Sequence, residues 1–400
     1  MTKPLQRLYL AQFLTAFSDN VIFFVLIGIL QLRGLDTESV SFSLDIFQAM
    51  FFLSYVLFAP VVGAFADRNP KSMVLLFGNI FKATGILLMM SGVSPGIGYF
   101  MIGLGAVVYS PAKYGLLSQL TNRPDELLKA NGRLEGYTIL AILIGSGVGG
   151  QMAQWLAPTW NLVICLLFYM LSLIWGLKIP KFSGNPTIRY RVSIIHFFSD
   201  FATLMRHPHT RFGLIGGSAF WMVSAVTRLG MIVWLAEQLS IKSTSIQSAV
   251  VASTAVGIVI GTFIVPKMIQ MDTFYRSAFT GLGLSIVLCL AVFSPSLWVI
   301  VLGLLLIGAF GGMFIIPMNA RLQQDGSELI GAGKVIAIQN FIENIVMILG
   351  IGLFMYLKSM FSIQLTLILI AFILLLTVFY LFSLFPTVRQ SRLNAQHSME

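Results

Sequence analysis

The sequence predicts an all-α polytopic membrane protein: 12 transmembrane helices in two parallel six-helix halves. Three observations predict it. Hydrophobic residues fill 57% of the 400 positions and charged residues only 10%, with a mean hydropathy of +0.88. Soluble domains run near ~25% charged, so this chain has too few charges to coat a water-exposed surface. Next, twelve apolar runs reach the ~20 residues that a bilayer core of ~30 Å requires. Last, the longest polar segment, 179–211, falls after the sixth run, and a weak internal repeat spans the division.

The runs follow in order. Run one, 8–32, contains "AQFLTAFSDNVIFFVLIGIL" and places Asp19 and Asn20 in its middle. It is too long for a cleavable signal and lacks a small-residue cleavage site, so it is expected to insert and stay. Runs two (44–66) and three (72–93) flank the turn "GAFADRNPKS", and run three carries Lys82. A tight hairpin at "SGVSPGIG" leads to run four, 97–119, which holds Pro111, Lys113 and Tyr114. Run five, 133–156, includes "GSGVGG", whose Gly145, Gly147, Gly149 and Gly150 allow close helix packing. Run six is 160–178; runs seven to twelve are 212–236, with Arg228, then 245–269, 274–293, 296–319, with Pro317, 335–357, with Asn340 and Glu343, and 361–385. Pro111 and Pro317 each remove a backbone donor inside a helix, so each predicts a kink. "GIG" at 350–352 is expected to act like the glycines of run five.

An even count of spans puts both termini on one side of the membrane. Of 25 Lys and Arg residues, 19 fall in segments on the side of the termini, three on the opposite side (Arg33, Lys242, Lys358) and three within spans. The positive-inside rule therefore predicts cytoplasmic termini. The same distribution explains the net charge of +10 without nucleic acid, which would need a folded basic domain. Segment 179–211 opens on the breaker-rich "KIPKFSGNP" and continues with Ile194, Phe197, Phe198, Phe201, Leu204 and Met205 at helical spacing. It reads as a linker with a short amphipathic helix on the cytoplasmic surface. The expected domains are thus 1–178, the linker 179–211, and 212–400. "DELLKANG" (125–132) against "SELIGAGK" (327–334), with Pro111 against Pro317, supports two parallel copies.

Cys165 and Cys289 both lie in apolar runs, which suggests neither a disulfide framework nor a metal site. All four histidines fall outside the runs, excluding an intramembrane histidine relay. Five ionisable residues lie within the spans: Asp19, Lys82, Lys113, Arg228 and Glu343. At roughly 3 kcal/mol each they would cost about 15 kcal/mol facing lipid, against a total stability of ~5–15 kcal/mol. They must be paired or hydrated, and one shared wet cavity is the expected solution. At 1.5 Å per residue Asp19 sits ~16 Å past Leu8, near mid-membrane. Asp19 with Arg228, or Glu343 with a lysine, would serve as structural bridges; five charges of mixed sign leave something for a ligand to satisfy.

The turn "GAFADRNPKS" resembles the loop signature of the major facilitator superfamily, whose members place substrate between two six-helix halves. There Asp67 is expected to cap the next helix or pair with a helix end, making Asp67 and Arg68 gating residues. Pro70 departs from the usual small residue, and only a degraded copy, "GTFIVPK", occurs at 261–267. "AQFLTAFSDN", "YSPAKYG", "KANGRLEGYTILAILIGS", "IPMNARLQ" and "GAGKVIAIQNFIEN" together resemble the bacterial lysophospholipid transporter family. The resemblance implies a flippase for lysophosphatidylethanolamine and lysophosphatidylglycerol in the inner membrane, delivering them to the cytoplasmic leaflet for reacylation. It implies substrate contacts at Asp19, Asn20, Lys113, Tyr114, Arg228, Asn340 and Glu343, with Lys82 a further intramembrane charge. Around "FWMVSAVTRLG" (220–230) the order of residues near Arg228 departs from the family pattern. The implied partners are membrane lipids and a separate cytoplasmic-side acyltransferase or acyl-ligase enzyme; no cofactor is implied, and sodium or protons are candidate coupling ions. Two alternatives remain: a proton-driven exporter of drugs or other soluble amphiphiles, with Asp19 or Glu343 taking protons, and a lipid enzyme. "HFFSD" puts three residues between His196 and Asp200, where the glycerolipid acyltransferase motif has four, so an enzyme is not expected.

Overall fold

The computed structural model describes residues 3–121, 124–269, 271–294 and 296–390; Arg123 and Arg392 of the charge count lie outside them. The described residues form thirteen α-helices and one 3-10 turn. In order they are α1 (Lys3–Leu32), α2 (Thr37–Arg68), α3 (Lys71–Met90), α4 (Pro95–Leu120), α5 (Pro124–Trp155), α6 (Pro158–Leu177), α7 (Tyr190–Arg206), α8 (Pro208–Gln238), α9 (Thr244–Met268), the 3-10 turn Met271–Ser277, α10 (Ala278–Ala291), α11 (Leu297–Ile330), α12 (Ala332–Met360) and α13 (Ile363–Ser383). Twelve helical segments among the described residues are long and apolar enough to cross a membrane, α10 only together with the 3-10 turn before it (Thr273–Ala291), and each coincides with one predicted run. A helix satisfies every backbone group within its own segment, which is what hydrocarbon demands.

Local signals set the helix starts. α4, α5, α6 and α8 open on proline, whose missing N–H lies among those that have no intrahelical acceptor. Asp36 caps α2 by accepting the Ser39 N–H at 3.0 Å, and the Ser39 side chain first, with that backbone bond second, holds its carboxyl below the usual range. Helix ends differ from the predicted runs. α11 continues to Ile330, eleven residues past its run, and breaks at Gly331, whose φ of +95° suits glycine. "DELLKANG" accordingly lies within α5, whereas "SELIGAGK" ends α11 and begins α12, so the two copies do not occupy equivalent elements. α4 and α11 run helical through Pro111 and Pro317, and α2 through Pro60, which the run analysis did not single out.

The chain packs as two compact units, Met1–Ile194 with Leu235–Ala252, and Ile195–Trp234 with Ser253–Glu400. In the first, α1 packs on α5 and α6, and α3 on α4 and α6. Glycines bring these helices close. A Cβ on Gly145 would stand 2.7 Å from the Phe17 carbonyl oxygen, and one on Gly149 2.8 Å from Val21 Cα. Gly147 and Gly352 face open space, contrary to expectation, because only one face of each helix meets a neighbour. Gly350 does meet Met222. In the second unit α10 packs on α11 and α13, and α11 on α12.

Segment 179–211 is largely helical. α7 buries Phe197 and Leu204, with the Phe197 ring 5.1 Å from that of Phe341. Asp200 receives Lys334 at 2.8 Å.

Candidate substrate site

In the first unit Lys82 and a set of polar groups assemble around Asp19. Its Oδ2 lies 2.6 Å from Lys82 Nζ, and its Oδ1 accepts from the Tyr169 hydroxyl at 2.8 Å. Lys82 also donates to Thr15 Oγ1 at 2.9 Å and lies 5.6 Å from the ring centres of Tyr109 and Tyr169. Thr15 donates to Asn79, Asn79 to Ser172, and Ser172 to the Ala11 carbonyl, completing a buried polar chain across α1, α3 and α6. Lys82 is 2% exposed and Asp19 20%. Within the first unit the ion partner of Asp19 is therefore Lys82. Run periodicity could not find Thr15, Asn79, Tyr169 or Ser172, because single polar residues are common in apolar runs.

Asn20 donates to its own helix at the Ala16 carbonyl, 2.9 Å away. Lys113 and Tyr114 are half-buried on α4, the ammonium 4.7 Å from the neighbouring ring.

The second unit builds its own cluster. Glu343, 7% exposed, accepts from Gln339 Nε2 at 2.8 Å, and Gln339 also donates to Asn319 of α11 at 3.1 Å. Gly217 of α8 brings its backbone beside the same two groups: a Cβ there would stand 3.3 Å from Glu343 Oε1. Within the second unit Glu343 thus meets an amide of its own helix. Asn340 is half-buried and its carbonyl accepts from Asn344 at 2.7 Å. Arg228 is half-buried on α8, one residue past buried Thr227.

Of the two contacts expected of Asp67, a cap and a pair with a helix end, the second occurs. Pro70 occupies the N-cap of α3 without a side-chain bond; Asp67 instead holds Lys71 at 3.0 Å, since its position three residues earlier suits a pair across the turn. Arg68 stacks over Tyr190 at 5.1 Å and donates to the Ile188 carbonyl at 3.3 Å, while the Asn185 N–H donates to the Asp67 carbonyl at 2.9 Å. The residues before α7 therefore strap this turn.

One histidine also departs from expectation. α8 begins at Pro208, so His209 enters the first turn of a spanning helix and is buried. Its Nε2 faces the Val388 carbonyl at 3.1 Å and its Nδ1 lies 2.7 Å from Asp325 Oδ2. His207, His209 and Asp325 bring three ligand atoms within 4.8 Å of one another, a set that could hold a metal ion. Arg321 Nε, however, lies 2.9 Å from that same Asp325 oxygen, and its Nη2 lies 3.1 Å from His209 Nδ1. A guanidinium already supplies the positive charge the carboxylate needs. The cluster is a clasp joining α8, α11 and the segment after α13.

Twelve spanning helices with buried charges of both signs define a polytopic transporter, and the chain belongs to the Major Facilitator Superfamily, whose family model matches residues 8–350. More narrowly, it falls in the lysophospholipid transporter family within that superfamily. A protein of Photorhabdus laumondii subsp. laumondii named lysophospholipid transporter LplT is 36% identical over 357 residues, covering 88% of each chain. The Klebsiella pneumoniae protein of that name is 38% identical over 356 residues, again 88% of each. Among solved structures, a POT family transporter aligns with TM-score 0.75 at 13% identity over 96% of each chain. The nucleoside transporter NupG aligns with TM-score 0.70 at 11% identity, over 96% of this chain and 100% of that one. At such identities these structures speak to the fold alone.

Proposed function

We propose that this chain moves lysophospholipids, chiefly lysophosphatidylethanolamine and lysophosphatidylglycerol, across the bacterial inner membrane to the cytoplasmic leaflet, where a separate enzyme reacylates them. The observation that carries the reading is identity of 36–38% sustained over 88% of the chain with relatives named for lysophospholipid transport. The loop distribution of Lys and Arg supports cytoplasmic termini.

The chemistry of the buried groups suits such a cargo. A lysophosphatidylethanolamine head group joins a phosphate anion to an ammonium cation, and taking both out of water needs a partner for each. Lys113 and Arg228 are the cations offered to phosphate. Glu343 is the carboxylate offered to ammonium, because an amide leaves its charge uncompensated, whereas Lys82 already balances Asp19. Lysophosphatidylglycerol lacks the ammonium and should depend on Glu343 less. Asp67 and Arg68, with the strap before α7, form the gate.

Reconstituted vesicles with labelled lysolipid in one leaflet test this. Lys113→Ala should slow flipping of both lipids, and Glu343→Gln chiefly that of lysophosphatidylethanolamine. Undiminished flipping in both variants at normal protein levels overturns the head-group assignment. Saturable movement of a soluble amphiphile without lysolipid flipping overturns the reading itself.

A further inference from the structure

We propose that Lys82 is a built-in counter-cation, its ammonium filling the seat at Asp19 where a coupling sodium ion or proton would otherwise bind. The inference rests on the transport reading, since coupling has meaning only for a transporter, but its first test does not. Both carboxylate oxygens of Asp19 are engaged from within the first unit, Oδ2 by Lys82 at 2.6 Å and Oδ1 by the Tyr169 hydroxyl at 2.8 Å. A second cation arriving there would face a fixed ammonium at contact distance, where low polarity leaves like charges weakly screened.

The ammonium is fixed because its surroundings hold it from three sides. Thr15 accepts a second bond, and the rings of Tyr109 and Tyr169 flank the nitrogen at 5.6 Å. The stem passes Gly105 of α4, where a Cβ would stand 2.5 Å from Lys82 Cγ. With 2% of the side chain exposed, Lys82 touches no cargo. It acts through Asp19 as a positioning residue, holding the carboxylate oriented with no ion drawn from solution.

The titratable groups around Asp19 are few. Lys82 faces it from α3, Tyr109 from α4, and Tyr169 and Cys165 from α6. Among these described groups of the first unit, Lys82 is the one whose nitrogen lies within ion-pair distance of the carboxylate. Sequence offers no hint of this arrangement, since the two residues lie 63 positions apart.

The test is a melting experiment on the purified chain in detergent, with sodium chloride titrated against choline chloride, and then with acidification. The wild type should show no sodium-specific rise. Lys82→Met should empty the seat and gain a saturable rise of about 2–4 °C in sodium, or a rise on acidification. The double variant Asp19→Asn with Lys82→Met should lose both responses, which separates the seat from every other titrating group. A stable Lys82→Met protein blind to sodium and acid overturns the proposal. So does a saturable sodium response of the wild type that Asp19→Asn abolishes, an arm that stands even if Lys82→Met does not fold. In vesicles, Lys82→Met should flip lysolipid only with sodium or acid present, and the wild type should be indifferent. Failure of the wild type to flip any lysolipid rejects the transport reading while leaving the melting result to decide the role of Lys82.

Discussion

Lys82 and Asp19 meet at 2.6 Å inside the first helical unit, and this contact explains how α1 keeps a carboxylate near the middle of a spanning helix. An unpaired charge there costs about 3 kcal/mol on insertion scales. Paired and bonded to Thr15 and Tyr169, the two form a neutral polar core that also fixes the rotation of α1 against α3 and α6.

Removing one partner should hurt more than removing both. Lys82→Met leaves a buried carboxylate uncompensated and should lower stability by about 3–5 kcal/mol, and Asp19→Asn leaves the ammonium unpaired, whereas the double variant Asp19→Asn with Lys82→Met should recover much of the loss. Thermal melting of the four proteins in one detergent closes the cycle; additive losses would deny the coupling.

Tyr169→Phe deletes a single donor and leaves Asp19 Oδ1 without its bond. Hydrogen bonds to charged groups are worth about 1.5–3 kcal/mol. The variant should therefore lose stability in that range without losing its fold, read as a lower melting temperature with unchanged helicity.

Gly105→Leu places a side chain where the Gly78 carbonyl and the Lys82 stem already lie. Overpacking of this kind costs about 1–3 kcal/mol. The same change at Gly147, which faces open space, should be near neutral. Size-exclusion profiles and melting of the two variants side by side report the contrast.

The clasp in the second unit gives a pH dependence. Burial first, and then the neighbouring His209, lower the His207 pKa from its ordinary value. The unfolded chain therefore binds the proton more readily, and stability should fall as pH drops from about 6.5 toward the lower folded value, with no further change above that window. His207→Gln should flatten the melting profile across that range.

Much of the fold was written in the chain. Twelve spans followed from run length alone, because a lipid-exposed helix advertises itself by unbroken hydropathy; the helix ends did not, since α11 outlasts its apolar run by eleven polar-rich residues until Gly331 stops it. The site was half legible. Asp19, Lys82, Lys113, Arg228 and Glu343 stand out because charge in hydrocarbon is rare, but Asn319 and Tyr169 carry no such signal and enter only as neighbours in space.

The amino-acid order by itself determined which segments enter the bilayer and which charges enter with them, through the free energy of transferring each side chain from water. It did not determine that Lys82 answers Asp19. Helix rotation and close approach through glycines such as Gly105 decided that pairing, because ion pairing acts over a few ångströms and the two residues lie 63 positions apart along the chain.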